Sequence, residues 1–241
     1  MTPSRRYEAI LFDMGYTLIY FEPPTAIIVQ EALRVSGAER SLDEIETAID
    51  VVWGVYYRDT ALVTFPATPE YDHQVQLDLA KGMLAHLGLG VGGEAIRVHM
   101  DALESWFSRP GVIRAYPETV AVLESLKTRG YRLGVVSNWS WNLRDRVAQV
   151  GLEVHFEVVW ASAYAGCNKP HPDIFHQALA RMALPEIPPD RVLYVGDSYD
   201  HDVVGARKAG LDVVLLDRDG ASYGRDCPVV RDLWGVFELL G

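Results

Sequence analysis

Cysteine, positive charge and long apolar runs are all scarce in this sequence. There are two cysteines in 241 residues, Cys167 and Cys227, and they show neither metal-ligand nor redox spacing. That removes a disulfide framework from consideration, and both read as reduced thiols of a cytoplasmic protein. Lys and Arg total 22 against 33 Asp and Glu, a formal net charge of -11. No Lys/Arg cluster interrupts that balance, so the surface repels phosphate backbones and a nucleic-acid partner is disfavoured. A local site can still hold a small phosphate. The apolar run near the start, Ile10 to Phe12, is too short for the core of a signal peptide. No run approaches the ~18 residues of a membrane span, so no membrane partner is expected. Internal repeats, low-complexity tracts and any signal of oligomeric state are missing as well.

Hydrophobic residues make up 49% and charged residues 23%, a balance that supports a folded core and excludes a disordered chain. At about 150 residues per domain, the length fits one domain carrying a sizeable insertion. Five short runs rich in Val, Leu and Ile do not alternate with polar residues. They are Ala9–Phe12, Leu133–Val136, Phe156–Trp160, Val192–Val195 and Val213–Leu216. Strands buried on both faces of a parallel sheet read this way. Pro117–Thr128 reads as a helix, with Val120, Leu123 and Leu126 spaced by three and Gly130 just past its end. Arg144–Val150, Pro172–Met182 and His201–Ala209 are further helical segments. The alternation predicts an α/β fold with a doubly wound, Rossmann-like parallel sheet.

The segment after the first strand breaks this pattern. It reads as helical near Thr25–Val35, Leu42–Tyr57, Tyr71–Leu87 and Ala95–Phe107. An α-helical domain over 21–110 is therefore expected, inserted into an α/β core built from 1–20 and 111–241. Gly88 to Gly93 has the G-x-G-x-x-G spacing of a dinucleotide loop, but it follows a helix instead of a strand and reads as a helix connection.

In a doubly wound sheet, ligands bind outside the carboxyl ends of the strands. Asp13 follows the first strand, Ser137-Asn138 the second, Asn168-Lys169-Pro170 comes beyond the third, and Asp197 to Asp202 follow the fourth. Each alone is an ordinary turn or cap residue. Together they suggest phosphoryl transfer through a covalent aspartyl phosphate. Asp13 and Asp197 would supply the oxygen ligands that Mg²⁺ prefers, with Asp202 acting through water. Asp13 would be the nucleophile, Lys169 would offset the repulsion between carboxylate and phosphate, and Ser137 with its neighbour Asn138 would bind phosphate oxygens.

The sequence resembles the haloacid dehalogenase-like hydrolase superfamily, in its phosphatase-like branch. That family's first motif is an apolar strand followed by Asp-x-Asp-x-Thr, matched by Ile10-Leu11-Phe12-Asp13 and Thr17. Its second is a Ser or Thr after a strand, matched by Ser137. Its third is a Lys in a Lys-Pro-x-Pro setting, matched by Lys169 to Pro172. Its fourth is Gly-Asp-(x)4-Asp, matched by Gly196, Asp197 and Asp202. The match runs from Tyr7 to Leu216, and the insertion resembles the family's helical cap. The resemblance implies a Mg²⁺ cofactor held by Asp13, the Gly15 backbone carbonyl, Asp197 and, through water, Asp202. It also implies a small phosphorylated metabolite as substrate.

One position departs from the family. Its phosphatases usually carry a second Asp two residues after the nucleophile, which protonates the leaving group and then activates water; here that residue is Gly15. General acid-base help is worth about 10²–10⁴-fold. Tyr16 would be a weak substitute, with an ordinary pKa near 10. A 2-haloacid dehalogenase would resemble Asp-x-Tyr-Gly-Thr here, and the order Gly15-Tyr16 is reversed. A non-enzymatic binding module is the other alternative, supported by Gly15 alone. Trp53, Tyr56, Tyr57, Trp106 and Arg58 of the helical insertion are expected to serve packing and solvation before recognition. His171, His176 and His201 are expected to be surface or capping residues.

Overall fold

The computed structural model describes residues 6–182, 187–221 and 224–240. Ala9, Ile10, Leu11 and Phe12 are all fully buried, so β1 (Ala9–Phe12) has no solvent face. Among the described residues there follow β2 (Ile19–Phe21), α1 (Thr25–Val35), α2 (Leu42–Thr60), α3 (Pro69–His86), α4 (Gly93–Phe107), β3 (Ile113–Ala115), α5 (Thr119–Thr128) and β4 (Arg132–Ser137). Then come α6 (Leu143–Gln149), β5 (Val158–Ala161), α7 (Ser162–Ala165), α8 (Asp173–Arg181), β6 (Val192–Gly196), α9 (Val204–Lys208), β7 (Asp212–Leu216) and β8 (Val229–Val230). No helix among the described residues is long and apolar enough to cross a membrane.

Six strands form one sheet in the order β5-β4-β1-β6-β7-β8, and its ladders are parallel. From β1 the chain builds outward to β4 and β5, then returns to the other side for β6, β7 and β8. The order thus reverses beside β1, which is where a doubly wound sheet opens a crevice. Phe12 lies level with Val135 of β4 and Val195 of β6. The chain therefore leaves the three central strands at one edge. Helix α8 covers this sheet with Ile174, Phe175, Ala178 and Leu179, and the Phe175 ring meets Tyr194 edge-on at 5.0 Å. Burying Ile174, Phe175 and Leu179 contributes about 1.5–3 kcal/mol each.

The chain divides into two compact units: Met1–Tyr20, Ala61–Phe65 and Ala115–Gly241 in one, Phe21–Thr60 and Pro66–Arg114 in the other. Within the helical unit, Leu33, Ile45, Ala48 and Leu84 form the centre of an apolar cluster. Helix α2 opens with a capping box: Glu44 N–H donates to Ser41 Oγ at 3.3 Å while Glu44 Oε2 accepts from Ser41 N–H at 2.8 Å. Thr68 caps α3 by accepting from Tyr71 N–H at 3.2 Å. The glycine run 88–92 joins α3 to α4. Ala61–Phe65, between two expected helices of a mostly helical segment, groups with the sheet: Phe65 N–H donates to the Gly166 carbonyl at 2.8 Å, and Thr64 pairs with Cys167.

Several boundaries differ from the sequence expectation. Strand β5 begins at Val158, two residues later than Phe156, because the ladder with β4 starts where Gly134 meets Val158. The short β2 and β3 form a separate two-stranded sheet, and β8 adds an edge; none has a run long enough to signal a strand. The helix expected over His201–Ala209 is present, but it begins two residues earlier with a wide π-type turn, Tyr199–Val203, that runs directly into α9.

Gly134 sits between two strands with no room for a side chain. A Cβ there would lie 2.6 Å from Val158 Cγ1 and 2.8 Å from Leu11 Cδ2. Gly134→Ala should destabilise the protein by about 1–3 kcal/mol through overpacking, read as a lower urea midpoint at unchanged slope.

Candidate active site

Asp13 is set at the sheet edge by its own backbone: its N–H donates to the Val195 carbonyl at 2.9 Å, carrying the β1–β6 pairing one residue past the strand. Its side chain is 9% exposed. Ser137, at the end of β4, is buried beside it, and its hydroxyl favours the ionised Asp13 carboxylate. Thr17 is fully buried, and its Oγ1 donates to Asp197 Oδ1 at 3.3 Å. The carboxylates of Asp13, Asp197 and Asp202 have oxygens within 4.8 Å of one another. The structure thus brings together residues spread over most of the sequence.

Lys169 enters this cluster from the loop between α7 and α8. Its ammonium donates to Asp13 Oδ1 at 2.6 Å, Asp202 Oδ1 at 2.6 Å and the Tyr194 hydroxyl at 2.9 Å. Those are the three protons an ammonium has. Asn138 fixes the lysine's backbone: its Nδ2 donates to the Lys169 carbonyl at 3.1 Å, and its Oδ1 accepts from Lys169 N–H at 2.7 Å. Both ends of the Asn138 amide are therefore engaged in positioning Lys169. Tyr194 escapes sequence reasoning as a site residue. The one signal is a phenol in the otherwise aliphatic run Val192 to Val195. Its hydroxyl lies 2.8 Å from the Val136 carbonyl and 3.1 Å from Asp202 Oδ1, and it is fully buried.

Asp202 owes its place to the wide turn after β6. Its N–H donates to the Ser198 carbonyl at 2.9 Å, and its Oδ2 accepts from Ser198 N–H at 2.9 Å. This folds the side chain back over Gly196, where an added Cβ would lie 2.3 Å from Asp202 Cγ. A glycine before Asp197 is thus a steric requirement of the turn.

The electrostatics are unbalanced. Three carboxylates face one ammonium. Burial raises the Asp13 pKa, the Lys169 charge opposes that, and the Asp202 charge adds to it. Burial, then the charges of Asp13 and Asp202, push Asp197 up to about 8. Burial alone would lower Lys169, but Asp13 and Asp202 outweigh it and hold its pKa above the ordinary value. Burial followed by Asp202 and Asp13 raises Tyr194 well above a free phenol. Removing one partner from a buried ion pair of this kind costs about 3–5 kcal/mol. The donor set is all oxygen, with two surplus negative charges, and a hard divalent cation fits both facts.

At position 15 the structure places no acid. A Cβ on Gly15 would meet Trp139 Cζ3 at 3.6 Å, an ordinary contact, so the indole borders the space a longer side chain would enter. Trp139 is anchored through Nε1 to Asn142 Oδ1 at 3.1 Å. Tyr16 is 49% exposed. The helical-unit candidates are engaged with one another: Trp53 stacks on Tyr57 at 5.6 Å, and Tyr56 packs against both. Trp106 lies under the Arg109 guanidinium at 3.7 Å, and Arg58 is exposed beside Asp59. His171 Nδ1 accepts from Asp173 N–H at 3.2 Å, just ahead of α8. His176 Nε2 lies 3.0 Å from the Ala209 carbonyl, and His201 Nδ1 lies 3.2 Å from Ser198 Oγ.

Comparison with known proteins places the chain in a family. The family model for haloacid dehalogenase-like hydrolases matches residues 7–210, and the chain belongs to that family. It is 35% identical to haloacid dehalogenase-like hydrolase domain-containing protein 3 of Bos taurus, over 90% of this chain and 84% of that one. It is 34% identical to a phosphoserine phosphatase of Thermus thermophilus, over 88% of this chain and 89% of that one. Among solved structures it is similar to a HAD phosphatase from Thermococcus onnurineus. That likeness has 26% identity, a TM-score of 0.67, and 97% and 98% of the two chains covered.

Removing a like charge from the cluster should stabilise the metal-free fold. A carboxyl whose pKa rises on folding holds its proton more tightly when folded. Its cost to stability therefore grows as pH climbs from its ordinary 3.8 to about 8. In chelator, Asp197→Asn should flatten the fall in stability over that window and gain about 1–3 kcal/mol at its upper end. Urea titrations at several pH values check this. Addition of Mg²⁺ should raise the melting temperature of the wild type and leave that of the variant unmoved.

Proposed function

We propose that the protein is a phosphatase acting on a small phosphorylated metabolite through a phospho-aspartate on Asp13. The observation that carries this reading is the buried Asp13 carboxylate held 2.6 Å from Lys169 Nζ, beside Ser137 and the Asp197–Asp202 pair. An Asp13 oxygen attacks phosphorus, the P–O bond to the leaving group breaks, and the leaving oxygen takes up a proton. Water then attacks the phosphoryl group, releasing inorganic phosphate and restoring the carboxylate. Lys169 holds Asp13 in place and balances the anionic charge as phosphate approaches. Ser137 donates to a phosphate oxygen, and Asn138 serves the phosphate by fixing Lys169.

Asp13, Asp197 and the Gly15 carbonyl, with Asp202 acting through water, would hold a Mg²⁺ ion, which would supply the charge neutralisation an anionic ester needs to reach an anionic nucleophile. Asp202 also anchors Lys169 and the Ser198 turn. With Gly15 at the usual position of the acid, the site favours leaving groups that need little protonation or that bring their own donor. The free thiols Cys167 and Cys227 support a cytoplasmic setting.

Hydrolysis of p-nitrophenyl phosphate with Mg²⁺, with and without chelator, tests the reading. Its leaving group is good, so the absent acid should matter little. The wild type should show metal-dependent release, and Asp13→Asn should lose it by about a thousandfold or more while remaining folded. Full activity in Asp13→Asn would sink the mechanism. Chelator-insensitive chloride release from 2-haloacids would replace it with a dehalogenase.

A further inference from the structure

The loop that follows the nucleophile contains a backbone outlier. Among the described residues, Tyr16 is the one non-glycine with a positive φ, 55°. A bulky L-residue in the left-handed region is strained and persists where its surroundings hold it. The loop is a tight reversal: Leu18 and Ile19 N–H both donate to the Met14 carbonyl, at 3.0 and 3.1 Å. The same reversal brings Thr17 Oγ1 onto Asp197.

The side chain that holds it comes from about 200 residues further along the chain. Arg218 follows β7. Its Nη2 donates to the Thr17 carbonyl at 2.9 Å, its Nε to the Tyr16 carbonyl at 3.3 Å, and its Nη1 to Glu118 Oε1 at 2.8 Å. Its guanidinium lies 3.4 Å from the Tyr116 ring centroid, and Tyr116 N–H in turn donates to the Leu18 carbonyl at 3.0 Å. The Arg218 and Glu118 side chains are 18% and 14% exposed. Water therefore screens the bonds to Glu118 and the Thr17 carbonyl only in part, while the bond to the Tyr16 carbonyl is exposed.

We infer that Arg218 is a positioning residue: its guanidinium clamps the strained Tyr16–Thr17 backbone, so that the loop carrying Asp13, Gly15 and Thr17 keeps the shape the reacting centre requires. This rests on the reading of Asp13 and Asp197 as that centre. The planar fork is essential, because it satisfies two successive carbonyls and a carboxylate while stacking on a ring. A lysine ammonium keeps the charge but lacks that geometry. Arg218 touches no proposed reacting atom and acts through the backbone of residues 16 and 17.

The experiment compares full-length Arg218→Lys, Arg218→Met and the control Arg231→Met. Arg231 binds the Asp217 carbonyl and carboxylate, one residue before Arg218, with no bond to the loop. In metal-free protein, hydrogen exchange at the Leu18 and Ile19 amides should quicken by about tenfold or more in both Arg218 variants, the scale of one lost charge-assisted bond, and stay unchanged in Arg231→Met. By calorimetry, the Mg²⁺ dissociation constant should rise about tenfold, and kcat on p-nitrophenyl phosphate should fall about tenfold with KM within about twofold. Tyr16→Gly added to Arg218→Lys should restore part of the slow exchange, because glycine adopts that φ without strain. Unchanged exchange in the Arg218 variants, or equal quickening in Arg231→Met, would overturn the clamp. A wild type inactive on every phosphate ester would overturn the phosphatase reading and leave the exchange test of the clamp intact.

Discussion

The Lys169 ammonium donates to Asp13, Asp202 and the Tyr194 hydroxyl, all of them buried. A bare ammonium in that position would be very costly, and so would the carboxylates without it. Each justifies the other, and the surrounding chain is arranged to keep them aligned. Asn138 grips the backbone of Lys169, the wide turn after β6 swings Asp202 inward, and Gly196 leaves room for it. One cation for three carboxylates is a deliberate shortfall. It leaves a site that is stable enough to fold yet still short of positive charge, which is the condition for attracting a metal.

The same shortfall explains why function and stability pull apart here. Burial and neighbouring like charges raise the Asp13 and Asp197 pKa values, so the carboxylate cluster by itself works against the fold. The sheet beneath compensates with strands such as β1 that have no polar residue at all. Apolar burial is what permits a strained, charge-dense edge.

Much of this was legible in the sequence, for one physical reason. Strands buried on both faces write themselves as unbroken aliphatic runs, and the residue that ends each run lies at the ligand-binding edge. Asp13, Ser137, Asp197 and Asp202 could be placed that way, and Lys169 by its position beyond the third run. What escaped depends on contacts between distant residues. Tyr194 looks like a strand residue, because nothing local reveals that its hydroxyl meets Lys169 and Asp202. Arg218 looks like a solvated charge after β7, because only the fold brings it to Tyr16 and Thr17. Asn138 reads as a neighbour of Ser137 at the phosphate end of the site, and nothing local reveals that its side-chain amide also grips the Lys169 backbone. The turn at Tyr199–Val203 hides for a different reason: a π-type turn breaks the helical period on which pattern reading relies.

The short return of Ala61–Phe65 to the sheet bears on how such a protein could be rebuilt. Because Thr64 pairs with Cys167, two residues before Lys169, the helical insertion is not a single cassette. In sequence it is two helix pairs, α1–α2 and α3–α4, and the segment that separates them along the chain, Ala61–Phe65, groups with the sheet. Grafting a foreign insertion by joining Tyr20 directly to Ala115 would delete that segment and strip a neighbour from the lysine loop. Replacing one helix pair at a time, with 61–65 kept, leaves the chemistry's own scaffold untouched.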